Sequence, residues 1–186
     1  MGADTRLPLL IGEHNPYGDP GFALYPSPRG CAGWRLCHTI LQMDPDDYCD
    51  RFRRMNLCHG AKWSMKEARS RALDVVVDAR DGETIILCGA KVARAFRLEP
   101  ATADTPCRVR PMASVPGVPP WDLLGPRPPA RRYTVVVLPH PSGLCRLWHK
   151  PGVTDTVRRT LSDLLPTAHH DAEPDDDDAA PPENRE

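Results

Sequence analysis

The chain has 186 residues, of which 40% are hydrophobic and 26% charged, and a formal net charge of -1. That is one domain's length with apolar residues for one core, so a second full-size domain is not expected. No stretch approaches the roughly 20 apolar residues that span a bilayer, and Leu7–Ile11 is too short for a signal-peptide core, so neither membrane insertion nor secretion is expected.

The small net charge hides an asymmetry. Eight of the 25 acidic residues but only one of the 24 basic ones lie beyond Leu165, so positions 1–165 carry a surplus of six basic residues. A basic body is what phosphate neutralisation requires. The tail, 166–186, is acidic and too poor in apolar side chains to fold, so it is expected to be disordered. The seven cysteines are odd in number and include no C-x-x-C pair. They read as free thiols in a reducing, cytoplasmic setting, with no metal site and no cofactor expected.

In chain order, Leu7–Ile11 is a short apolar run of strand type ended by Gly12, and a loop rich in Gly and Pro follows to Gly33. Trp34, Cys37, Ile40 and Leu41 share a helical spacing, and Pro45-Asp46-Asp47 starts a second short helix. Arg53–Cys58 reads as a strand. Ser64-Met-Lys-Glu67 is a capping box, with Ser64 accepting from the Glu67 amide and the Glu67 carboxylate returning to the Ser64 amide. The helix it opens turns Ala68, Ala72, Val75, Val76 and Ala79 to one side. Thr84–Cys88 is a buried strand followed by Gly89 and a short helix through Phe96.

Positions 97–131 are rich in proline and lack periodicity, and read as an insertion. Tyr133–Leu138 is a β-branched strand, and Thr154–Leu165 a closing helix with Val157, Leu161, Leu164 and Leu165 inward. This alternation predicts a three-layer α/β/α domain over 1–165, built on a mostly parallel central sheet of about four strands. Ligands then meet loops at the carboxyl ends of the strands.

Three polar groups fall at such ends: Gly12-Glu-His-Asn-Pro-Tyr-Gly18, Asn56, and His140-Pro-Ser-Gly-Leu-Cys-Arg146. Together, and in this order, they resemble the uracil-DNA glycosylase superfamily, over about Leu7 to Leu165. Asn15-Pro16-Tyr17 is similar to its first motif, Asn56 to its base-reading Asn, Ile85–Ala90 to its next strand and turn, and His140-Pro-Ser-Gly-Leu144 to its last motif. The chain departs from the pattern in three places. Gly12 lies three residues before Asn15 where two are usual, Gly143 replaces a proline, and Asn15 stands where the fastest members carry Asp.

The resemblance implies a monofunctional glycosylase, acting as a monomer on DNA, that flips out uracil or another altered pyrimidine and hydrolyses its glycosidic bond. His140 then donates to the oxyanion forming on the base, and Asn15 orients the water without being able to take its proton. Glu13 or His14 is available as the base. Asn56 reads the pyrimidine edge, and Tyr17 either crowds C5 or is moved aside by Gly18–Gly21. Phe22 and Tyr25 are candidates to stack on the ring, unless one belongs to the core. Ser142, Leu144 and Arg146 meet the DNA, with Leu144 either a wedge or a packing residue. Trp148 either faces DNA or seals the sheet end. A second class stays open: a glycosylase-like module that binds an altered base, an abasic site or a protein partner without cleavage.

Overall fold

A computed structural model describes residues 7–14, 19–60, 62–114 and 131–165. The acidic tail and part of the proline-rich segment lie outside these residues.

Five strands form one sheet in the order β2-β1-β3-β5-β4. They are β1 (Leu9–His14), β2 (Arg53–Cys58), β3 (Thr84–Cys88), β4 (Arg108–Ser114) and β5 (Arg131–Leu138). β1, β2, β3 and β5 run parallel, and β4 joins β5 antiparallel at the edge. In these parallel strands, side chains alternate between two cores. Leu9, Ile11, Leu57, Ile85, Leu87, Val135 and Val137 point to one side, and Leu10, Ile86, Cys88, Val136 and Leu138 to the other. Strands apolar on both faces must be covered on both, and helices do this.

On the first face lie α3 (Met65–Asp78) and α4 (Ala90–Ala95), contributing Ala68, Ala72, Val92 and Ala93. On the second lie α1 (Ala32–Trp34), α2 (Pro45–Arg51) and α5 (Val153–Leu164), with Leu36, Tyr48, Val157 and Leu161 packed inward. α1 continues into a wider π-helical stretch, Arg35–Leu41. It ends at Gln42, whose left-handed backbone sends the next amide, of Met43, to the Cys37 carbonyl.

The α/β class and the mostly parallel sheet agree with the sequence reading, but the sheet has five strands rather than about four. The fifth, β4, lies inside the segment read as an insertion. It is an exposed edge strand that tolerates Pro111 opposite Thr134, and its three arginine and proline positions hide the apolar pattern that a strand normally shows.

Two local expectations also change. β1 does not stop at Gly12; it runs on to His14 because β2 continues beside it, pairing Gly12 with Asn56 and His14 with Cys58. At the start of α3, Ser64 accepts from the Glu67 amide at 3.3 Å, but the Glu67 carboxylate takes the His59 amide at 3.0 Å instead of that of Ser64. The cap thereby anchors the chain that leaves β2. No helix among the described residues is long and apolar enough to cross a membrane.

Candidate active site

At the carboxyl ends of β1, β2 and β5 the chain opens into a cavity of about 670 Å³. Glu13, His14, Asn56 and His140 bring polar groups to it, and Phe22, Leu24, Tyr25 and Pro28 give it an apolar wall. The parallel register makes this convergence, since β2, β1, β3 and β5 all end at the same edge of the sheet.

His140 is held by two hydrogen bonds. The Ser142 amide donates to its Nδ1 at 3.2 Å, and the Trp148 indole donates to its carbonyl at 2.7 Å. With Nδ1 accepting, the proton of the neutral ring sits on Nε2, which lies 3.9 Å from Glu13 Oε1. Burial lowers the His140 pKa below the ordinary histidine value; Glu13 pulls it back up, while Lys91 and His14 lower it further. His140 is therefore a neutral donor near pH 7. Trp148 packs against the core beneath it, so it seals the sheet end. Trp148→Phe keeps the ring but removes the indole donor to the His140 carbonyl, and is expected to cost about 1 kcal/mol of stability, as a thermal melt would register.

Behind His140 stands Gly89. Its φ of +109° and ψ of 161° belong to a region open essentially to glycine alone. A Cβ here would also lie 2.9 Å from His140 Cδ2 and 3.3 Å from Glu13 Oε1. The turn after β3 thus lets two functional side chains approach its backbone.

Glu13 is mostly buried, and its Oε2 accepts from Lys91 Nζ at 2.9 Å. Lys91 in turn lies 5.8 Å from the Trp63 ring centroid. His14 also lines the cavity, and its buried Nδ1 has no partner. Of the two candidate bases, Glu13 is the one fixed beside His140.

Asn56 lies across from Gly12, and a methyl group on Gly12 would overlap the Asn56 Oδ1. The close approach of the two strands' backbones and the Asn56 amide therefore depends on a missing side chain. Phe22 and Tyr25 meet edge to face, with centroids 5.6 Å apart and planes at 80°. Both are exposed at the cavity wall, so neither is a core residue.

The loop after β5 presents Leu144 at its tip, 92% exposed, so Leu144 is not a packing residue. Ser142 serves His140 through its amide, and Arg146 opens an exposed 3-10 turn, Arg146–His149. Arg35, the first residue of the π stretch, braces the loop by donating from Nε to the Pro141 carbonyl at 3.1 Å. Asn15 and Tyr17 lie outside the described residues.

Sequence reasoning missed Lys91, Gly89 and Arg35. Only Gly89 left a signal, a glycine directly after a buried strand. Among the described residues, no three His, Cys, Asp or Glu side chains form a group able to hold a metal ion. Burial pushes the Cys37 thiol up to about 11 and the Cys88 thiol up to about 12, so both stay protonated inside the core. No protein-family model, no curated protein and no solved structure matches the chain.

Proposed function

We propose that the protein is a monofunctional DNA glycosylase, with a uracil-DNA glycosylase-like fold, that excises uracil or another altered pyrimidine and leaves an abasic site. One observation carries this reading. Glu13, Asn56 and His140, from three strand ends, line one cavity large enough for a flipped base, and the protonated nitrogen of His140 is on the Glu13 side.

The chemistry needs water and no cofactor. As the bond from C1' to N1 breaks, its electron pair leaves with the base and spreads to O2, where His140 Nε2 donates. The sugar becomes cationic, and the Glu13 carboxylate stabilises it at short range. A water oxygen bonds to C1' and loses its proton to Glu13, a role that Asn15 lacks the basicity to fill. The departing base finally takes up a proton. Asn56 offers both a donor and an acceptor to the pyrimidine edge, which rejects bases that leave them unpaired.

DNA is the partner that the six-residue basic surplus of positions 1–165 favours, and the exposed Leu144 supports flipping by filling the vacated stack. Leu144→Ala is then expected to slow excision from duplex DNA about tenfold and to leave single-stranded substrate nearly unaffected, because only the duplex has a stack to refill.

The test is single-turnover incubation with duplex and single-stranded oligonucleotides carrying uracil, 5-hydroxymethyluracil, hypoxanthine or mismatched thymine, followed by alkaline cleavage. Release of a free base with an abasic strand is expected. Tight, salt-sensitive binding without release from any of them would overturn the reading in favour of a binding module.

A further inference from the structure

Asn56, which lines the main cavity, also lines a smaller recess of about 70 Å³, with room for a group of a few heavy atoms. Arg54, Asn56, His59 and Arg71 line it, with exposed Asp19 the one acid among the lining residues. Arg54 precedes Asn56 by two positions on β2, so both side chains leave the same face, with Arg54 about 7 Å deeper along the strand.

The Arg54 guanidinium lies between two aromatic rings, 5.8 Å from the Tyr25 centroid and 5.6 Å from that of Tyr48. Both its Nε and its Nη1 are buried without a hydrogen-bond partner, and so is the Nε of Arg71. The Tyr48 hydroxyl gives its proton elsewhere, to the Leu24 carbonyl at 3.0 Å. Buried guanidinium donors without acceptors are costly, and a fold that keeps two such groups around one recess holds them ready for an anion. A guanidinium fork matches the two oxygens of a carboxylate.

We propose that this recess receives an anionic substituent of the base read by Asn56, so that the preferred substrate is a pyrimidine bearing a carboxylate at its outer edge, as in uracil-5-carboxylate. This rests on the glycosylase reading for the identity of the ligand in the main cavity. Asn56 lines both spaces, so a base hydrogen-bonded to it in the main cavity lies next to the recess that Arg54 also lines.

Binding of the free bases tests the recess without requiring catalysis. Calorimetry with uracil-5-carboxylate, uracil and inorganic phosphate is expected to show the carboxylated base bound at least about tenfold tighter than uracil, as one charged hydrogen-bonded pair would give. Arg54→Met should erase that ratio. The variant should melt within a few degrees of the wild type, because the lost contact with the two rings is offset by removing two buried donors that lack acceptors, and Arg54→Lys should recover only part of the ratio because it lacks the fork.

Equal affinity for the two bases, or phosphate binding as tight and as Arg54-dependent as that of the carboxylated base, would overturn the proposal; the latter would mark a backbone-phosphate site. Excision assays separate the two claims. Excision of uracil with no preference for uracil-5-carboxylate overturns the recess and leaves the glycosylase reading standing. Arg54-dependent binding of the carboxylated base with no excision of any base supports the recess and overturns the glycosylase.

Discussion

His140→Ala is expected to lower single-turnover excision by about a hundred- to a thousandfold, the usual effect of removing one oxyanion donor. The fold should survive. His140 is about a quarter exposed and accepts a single amide hydrogen bond through its ring, so the stability loss is about 1 kcal/mol. The pH profile distinguishes this role from that of a general acid. Burial, the first cause of its shift, lowers the His140 pKa, so the neutral ring dominates at and above neutrality. Excision should therefore be flat from pH 7 upward and fall only in acid, below the ordinary histidine value. A rate that instead rises as the ring protonates would require an imidazolium and overturn the mechanism. Linkage has the same sign: the unfolded chain takes up the proton first as the pH drops, so stability is lost in that window. His140→Gln, which retains a donor, should recover part of the rate, and a thermal melt of both variants checks that only chemistry has changed.

The parts of the fold that could be read from the sequence are those whose signal is local. β5 shows a β-branched run, α3 a serine cap with small residues at helical spacing, and α5 an apolar stripe; β5 and α5 lie within two residues of their expected places, and α3 starts at its expected cap but ends at Asp78, short of the expected Asp81-Gly82. β4 escaped because an edge strand buries little and alternates arginine with apolar residues. Glu13 was expected in a loop because Gly12 looked like a strand end, yet a strand continues wherever a neighbour supplies hydrogen bonds, and that neighbour is 44 residues further on.

The site divides in the same way. His140, Asn56 and Leu144 were legible as motif residues, and Phe22 and Tyr25 as aromatics in a loop. Lys91 and Arg35 were not, since each acts through a contact made by tertiary packing: Lys91 with Glu13 from the start of α4, Arg35 with the Pro141 carbonyl from a π turn. Arg54 was legible only as a strand residue; its buried unpaired donors exist only once Tyr25 and Tyr48 enclose it.

Gly12→Ala should act almost wholly through Asn56. The added methyl would overlap the Asn56 Oδ1, while its next contacts, at 3.2 and 3.3 Å, are to the flexible end of Leu24, which can move by the few tenths of an ångström required. Excision is thus expected to fall about as far as in Asn56→Ala, roughly a hundredfold for two lost hydrogen bonds to the base. The double variant supplies the decisive comparison. If displacement of the Asn56 amide is the whole effect, adding Gly12→Ala to Asn56→Ala should cost less than about a further twofold, because contacting residues on one path are strongly non-additive. Full additivity would mean that the methyl instead disturbs the pairing of β1 with β2. Circular dichroism melts separate these outcomes, since a broken pairing lowers the stability of both Gly12 variants, whereas a displaced amide spares the double one. The same cycle bears on specificity. With Asn56 displaced the cavity keeps its aromatic wall and His140, so residual excision should persist with weaker discrimination among pyrimidines.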